Sequence, residues 1–393
     1  MRCNCSYKKI KSVCSFVGDG DWIESKDQSE SGIRLIQTGN IGNGVFKDKE
    51  DKAKFISSDT FSELGCTEIF EGDCLISRLP DPIGRCCILP KLEERTITAV
   101  DCTILRFNEE IIPQYFVYYS QSRPYSIRIQ SKTTGSTRKR ISRKNLENID
   151  IPIPSLEEQE RIVSELDKIN ELIRLKKEQL KDYDNLAQSI FYEMFGDPVV
   201  NEKGWEVKHI GDFGTCIAGA TPSTTVEEYW INGTIPWLSS GEVSKGRIFN
   251  TDRRITQHGY DSCSTRMIPA HTIVIAMAGQ GKTRGTVGVA EIPLCTNQSI
   301  CSIVTNEKID VDFLYYQIKF LYNELRSASN GDGGRGGLNL RLIQKFPIIS
   351  PNYSLQVSFA KRIKTVELLK SNIQSTITDL ETLLASRMQY WFD

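Results

Sequence analysis

Apolar residues recur at a 4,3 spacing through residues 155–195, SLEEQERIVSELDKINELIRLKKEQLKDYDNLAQSIFYEMF, a stretch without Gly or Pro. Ile162, Leu166, Ile169, Ile173, Leu180, Tyr183, Ala187, Ile190 and Met194 fall on one stripe, interrupted at Lys176. That period predicts one long helix with a coiled-coil seam. Ser155, with Glu158 three places on, is a capping-box signature, and Gly196 followed by Pro198 supplies the stop. At about 1.5 Å per residue the helix would span roughly 60 Å, and so long a stripe needs a partner. The chain contains one. About 197 positions downstream, Phe359, Ile363, Val366, Ile373, Ile377, Leu380, Leu384 and Trp391 repeat the spacing, interrupted at Lys370 and Arg387.

The repeat extends beyond the helices. Ile151, Pro152, Ile153 and Pro154 are echoed by Ile348, Ile349, Ser350 and Pro351, and Gln159 by Gln356. The chain reads as a tandem duplication, a block of about 150 residues followed by one long helix, twice over. The expected boundaries are a first block at 1–150, a helical segment at 151–197, a second block at 198–351 and a helical segment at 352–393. Antiparallel pairing of the helices is the simplest closed arrangement, and pseudo-two-fold symmetry then throws the blocks to opposite ends as a dumbbell. The fold class expected is α+β, two tandem-repeated α/β domains held apart by two long antiparallel coiled-coil helices.

Within the first block, residues 18–22 and 26–31 read as loops and Ile33–Ile36 as a strand entering TGNIGNG. Strands are expected at 74–77 and 86–89, joined by RLPDPIG; 96–107 is β-rich and 114–122 has helical spacing. Residues 123–144 hold eight Lys or Arg and no Asp or Glu, centred on GSTRKR at 135–140. In the second block GTIPWLSSGEVSKGRI stands where GIRLIQTGNIGNGVF stood, 272–276 takes the place of the strand at 74–77, and AMAGQGKTRGTVG follows at 276–288. NGDGGRGGLNLR, at 330–341, matches the GSTRKR segment in position.

Charge changes the picture locally rather than globally. The net charge of −1 excludes a globally basic nucleic-acid binder, so such a role must rest on patches. A basic run can be a solvated loop, but flexible Gly, hydroxyl donors and cations together suit phosphates and base edges. The candidate DNA contacts are Arg78, Arg85, Lys132, Thr137, Arg138, Lys139, Arg140 and Arg143 in the first block, and Lys282, Thr283, Arg284, Arg335, Asn339 and Arg341 in the second.

Other chemistries find no home. The twelve Cys sit singly, as at Cys74, Cys102 and Cys301, or adjacent, as at Cys86 and Cys87, never as CxxC, and there are three His. Buried free thiols are expected, with no metal site and no disulfide framework. GQGKT resembles a nucleotide P-loop, but Ala276 stands where the motif needs its first Gly and TVGVAEI reads as a strand, not the phosphate-holding helix. NPPY or DPPY tetrapeptides for base methylation, a helicase P-loop and a nuclease-like Asp, Glu and Lys set are absent. No apolar run approaches eighteen residues and the N-terminus lacks a signal core, so a cytoplasmic location is expected.

LENIDIPIPSLEEQERIVSELDKI at 146–169, with DGDWIESKDQSESGIRLIQTGNIGNGVF, AGQGKTRG and TNQSI, resembles specificity subunits of type I restriction-modification systems. The resemblance covers essentially the whole chain. It implies a DNA sequence-specificity subunit whose target-recognition domains each read one half of a bipartite, asymmetric duplex target, the helices setting the spacer. The helical segments would dock modification subunits, two of them, that bind S-adenosylmethionine and methylate adenine, while restriction subunits would supply ATP- and Mg-dependent translocation and cleavage. This chain would carry no catalytic residue and no cofactor. NYSLQVSFAKRI departs from the pattern in lacking the acidic pair before Gln356. Two other readings stay open: the recognition subunit of another multi-subunit restriction enzyme, and a coiled-coil scaffold that binds no DNA.

Overall fold

In the computed structural model, which describes residues 5–135, 139–279, 281–329 and 337–393, both halves of the sequence fold on one plan. Two units result, Met1–Lys177 with Ser375–Asp393, and Glu178–Gln374.

The first unit contains β1 (Ser6–Lys9), β2 (Cys14–Asp19), β3 (Ile33–Ile36), β4 (Lys54–Ile56), α1 (Ser58–Leu64), β5 (Glu68–Ile69), β6 (Cys74–Ser77), β7 (Cys86–Ile88), β8 (Thr96–Thr98), β9 (Cys102–Phe107), α2 (Pro113–Ser120), α3 (Arg123–Ser131), α4 (Arg143–Glu147) and β10 (Asp150–Ile153). One sheet has the order β2-β9-β6-β7, a second β4-β3-β8-β5, and β1 pairs with β10. β6 is buried along its whole length, which is why it reads as the uninterrupted apolar run Cys-Leu-Ile. Tyr115, Phe116 and Tyr119 of α2 meet Tyr125 of α3 and Phe392 in an aromatic core. The expected strands are present. One expectation is shortened, since β2 extends through Gly18 and Asp19 of the loop read at 18–22; the basic run opens as a helix over 123–131, capped by Ser122 with Pro124 in its first turn.

The Ile-Pro run is a strand because β1 lies antiparallel to it, Ser6 opposite Ile153 and Lys9 opposite Asp150. In the second unit β11 (Val207–His209) lies in the same way against β20 (Pro347–Ile349). Between these come β12 (Gly214–Ala218), β13 (Ile235–Leu238), β14 (Arg247–Ile248), β15 (Arg253–Ile255), β16 (Thr272–Ala276), β17 (Val287–Ala290), β18 (Cys295–Thr296) and β19 (Ile300–Thr305). The sheets are β12-β19-β16-β17-β14 and β15-β13-β18. Cys74, Cys87, Cys102 and Cys301 are free thiols and fully buried.

The long helices are α5 (Leu156–Phe195) and, after α6 (Gln257–Asp261), α7 (Val311–Phe320), α8 (Tyr322–Ser327) and α9 (Leu340–Gln344), α10 (Tyr353–Phe392). Ser155 Oγ accepts from Glu158 N at 3.3 Å, and Gly196 adopts φ +77° at the far end. Inside each unit the segments of α5 and α10 run antiparallel. In the first, Glu165 pairs with Arg387 and Lys177 with Glu381 at 2.8 Å; in the second, Asp184 pairs with Lys370 at 3.0 Å. Two breaks in the seam, Lys370 and Arg387, are thus ion-paired to the facing helix.

The seam is buried at Ile162, Leu166, Ile169 and Ile173 and at Phe359, Ile363, Val366, Ile373 and Ile377. Leu180, Leu380 and Leu384 are partly buried. Near the end of α5 the stripe turns: Ile190 and Met194 are partly buried, while Phe191 and Phe195 are fully buried against Phe313 and Phe359, with centroids 4.8–5.8 Å apart. A 3.6-residue helix drifts about 20° per heptad against a 3.5 repeat, and the larger aromatic area then takes the inner face.

Candidate nucleic-acid interface

In the first unit the end of β3, the loop 78–85, the crossover 99–101 and the segments 132–135 and 139–143 converge on one rim. Ala99 N donates to Ile36 O at 2.9 Å, Arg78 N to Asp101 O at 2.9 Å and Ile141 N to Arg78 O at 3.3 Å. Arg85 ties the rim together. Its Nε donates to Ile41 O at 2.8 Å, Nη2 to Thr38 O at 3.0 Å, and Nη1 to Leu79 O and Pro82 O at 2.9 and 3.0 Å. Arg78 is 4% exposed, bonded to Val100 O and 3.5 Å from Asp19. Burial lowers the pKa of both guanidiniums, which remain charged.

The same rim is built in the second unit from 239–245, the loop flanks 277–279 and 281–285, and the crossover 297–299. Asn297 N donates to Leu238 O at 3.1 Å and Met277 N to Ser299 O at 2.8 Å. Gly279, Gly281 and Gly285 take φ of +137°, +63° and +86°, which only Gly adopts freely and which explains the composition of this loop. The loop returns into β17, a strand, so GQGKT lacks the helix a phosphate-binding loop needs. Arg326 holds it from α8, donating to Gly281 O at 2.8 Å and Arg284 O at 3.2 Å, while Tyr322 Oη donates to Lys282 O at 2.9 Å.

The fourteen candidate contacts separate by what they touch. Arg78 and Arg85, expected as DNA contacts, direct their guanidiniums to backbone carbonyls of the rim itself, Arg78 buried and Arg85 half-buried. Lys132 turns its Nζ to Asn148 O at 2.6 Å, and Asn339 caps α9 by accepting from Leu342 N at 3.0 Å. Lys139, Arg140, Arg143, Lys282 and Arg341 are exposed, with Thr283 and Arg284 half-buried. Arg140 pairs with Asp101 and Arg143 with Glu147, both at 3.1 Å; solvent-exposed pairs contribute about 0–1 kcal/mol and exchange readily for phosphate. Thr137, Arg138 and Arg335 lie outside the described residues. Arg326 and Tyr322 escaped the sequence reading because each is an isolated residue in a short helix, the i, i+4 spacing being the single cue.

Among the described residues no group of His, Cys, Asp and Glu is arranged to hold a metal ion, and no helix is long and apolar enough to cross a membrane. The model of the type I restriction modification DNA specificity domain matches residues 4–182 and again 202–381. The type I restriction enzyme EcoR124I/EcoR124II specificity subunit of Escherichia coli is 26% identical over 262 residues, 64% of each chain. The putative MjaX specificity subunit of Methanocaldococcus jannaschii is 22% identical over 385 residues, 92% of this chain and 86% of that one. The chain thus spans just under two thirds of the first relative and most of the second. The fold matches the crystal structure of a type I restriction-modification S subunit from M. genitalium with a TM-score of 0.58 at 16% identity, covering 100% of this chain and 97% of that one. With the domain matched once in each copy of the repeat, the chain belongs to the type I restriction modification DNA specificity family.

Proposed function

We propose that this chain is the sequence-reading subunit of a type I restriction-modification complex. Each α/β domain binds one half of a bipartite, asymmetric duplex target at its rim, and the helical segments fix the gap and dock modification subunits, two per chain. Catalysis and the cofactors S-adenosylmethionine, ATP and Mg belong to partner subunits, modification and restriction, in the cytoplasm.

The observation that carries this reading is the rim built twice on equivalent joints with different surface side chains, as two unlike half-sites require. Gly20 and Gly219 mark the shared joint, where an added Cβ would lie 2.3 and 1.9 Å from the carbonyl oxygens of Thr98 and Thr296. A scaffold with no nucleic-acid role needs neither the duplicated rim nor its cations. The test is DNA affinity against salt for the full chain, purified with its modification subunit, carrying Lys139→Ala, Arg140→Ala or Lys282→Ala. Each loss of a phosphate contact lowers affinity across all sequences and reduces the slope of log affinity on log salt by about one. Unchanged affinity and slope in all three variants would contradict the assignment of the rim.

A further inference from the structure

Arg253 of β15 holds its guanidinium over an aromatic platform. Its guanidinium carbon is 3.6 Å from the ring centre of Trp230 and 5.7 Å from that of Trp237. The two indoles meet edge to face with centroids 5.1 Å apart, and each is pinned by its Nε1, Trp230 donating to Ser223 O at 3.0 Å and Trp237 to Ala220 O at 3.1 Å. A guanidinium held face-down on such a platform points its N–H groups outward in a fixed plane.

That edge is free. Other arginines over aromatic rings have their N–H groups engaged: Arg106 by Asp73 at 2.8 Å, Arg95 by Glu68 at 2.7 Å, Arg387 by Glu165, Arg326 by backbone carbonyls. Among the described residues no acceptor pairs with Arg253, and the adjacent Asp252 is paired with Lys245 at 2.7 Å. The residue also sits by the rim. Trp237 is the penultimate residue of β13, opposite Arg253 in register, and the end of β13 is tied to the crossover 297–299 that also anchors loop 277–285.

Position in the repeat separates fold from reading. In the first domain the opposed pair is Leu35 and Lys54, on the same strand pairing. The flanking joint is unchanged, Asp21 N donating to Thr98 O at 2.8 Å and Ala220 N to Thr296 O at 3.0 Å. The backbone frame therefore does not require the Arg–Trp platform, and the platform is a point where two copies of one surface have diverged.

We propose that Arg253, levelled on Trp230 and Trp237, is a specificity-determining residue that reads one guanine in the half-site of the second domain, donating to its N7 and O6. This rests on the DNA-reading function proposed above. A phosphate needs a cation but no fixed plane, which the exposed Lys139 and Lys282 supply; a rigid planar fork matches the paired acceptors of guanine in the major groove.

The experiment is selection from a duplex library randomised over both half-sites, using the full chain purified with its modification subunit, as wild type, Arg253→Ala and Arg253→Lys. The expected result is a bipartite wild-type motif, and in both variants a roughly ten- to hundredfold loss of preference at one guanine in one half-site, the other half unchanged. Lysine keeps the charge and loses the fork, so an undiminished guanine preference in Arg253→Lys overturns the role given to the planar guanidinium. Uniform weakening across the library with a lower salt slope assigns a phosphate contact and overturns it too, as does an unchanged motif in Arg253→Ala. A wild type that selects no sequence overturns the DNA-reading function itself, and the inference with it. Circular dichroism melts of the variants within a few degrees of wild type exclude misfolding as the cause of any loss.

Discussion

Arg85 and Lys139 are both cations in segments of one rim, yet they act through different partners. Arg85 donates to four backbone carbonyls from two loop segments, 38–41 and 79–82. Arg85→Ala leaves those acceptors without their charged donor and should cost about 2–3 kcal/mol in urea unfolding, with the salt slope of the residual DNA binding unchanged. Lys139→Ala should alter stability by less than about 0.5 kcal/mol and act on DNA affinity alone. The sequence could not separate the two, because Arg after Gly84 and Lys inside GSTRKR share residue class and loop context. What differs is which carbonyls the fold delivers to each, and that is decided by strands far apart in sequence. The same limit hid Arg326. The glycines of loop 277–285 were legible, since their positive φ is a local requirement that only composition satisfies cheaply.

At the scale of elements, the helices and central strands were legible to within a few residues, because their periodicity is written locally. What was not legible is how the seam ends: Phe191 and Phe195 replace Ile190 and Met194 on the inner face, a consequence of helical drift and of Phe313 on α7 waiting opposite. The polar side of the second unit is a network in which Arg247 meets Glu291, Asp312 and Glu367, with Lys370 and Lys319 on Asp184. Arg247→Met removes the partner shared by three carboxylates and should destabilise this unit by about 3–5 kcal/mol, read as an earlier unfolding transition for residues 178–374. Burial raises the Asp184 and Glu367 carboxyls, but Lys319 and Lys370 on the first and Tyr316, Lys370 and Arg247 on the second outweigh it, leaving both below their ordinary values. A lowered folded pKa makes the contribution complete above the unfolded values of 3.8 and 4.5 and progressively lost as pH falls through the folded ones. Melting temperature followed from pH 7 to pH 3 should therefore fall most steeply below about 4.5 for wild type, and less steeply for Lys370→Met, which lacks one cation of the network.

Across the whole molecule the duplication sets the rules. Gln159 and Gln356, fully buried, perform one task twice, accepting from Ile112 N at 2.8 Å and Asp310 N at 2.9 Å and donating to the Pro154 and Pro351 carbonyls at 3.0 and 2.8 Å. Gln159→Leu and Gln356→Leu should each cost about 1–3 kcal/mol, comparable in the two units, in chemical denaturation. The last turn of the chain belongs to the first unit, where Trp391 and Phe392 are each 2% exposed, so Phe392→Ala should cost about 3–5 kcal/mol and speed proteolysis within residues 5–177 before residues 178–374. These duplicated joints hold the fold constant while the rims vary, as the two unlike half-sites of the proposed function require. The most direct test is single-molecule methylome sequencing of cells expressing this chain with its modification subunit, against cells lacking this chain alone. The account predicts one new bipartite motif with modified adenines in its two dissimilar halves at a fixed gap. A single undivided motif, or none in cells where the two proteins demonstrably associate, would contradict it.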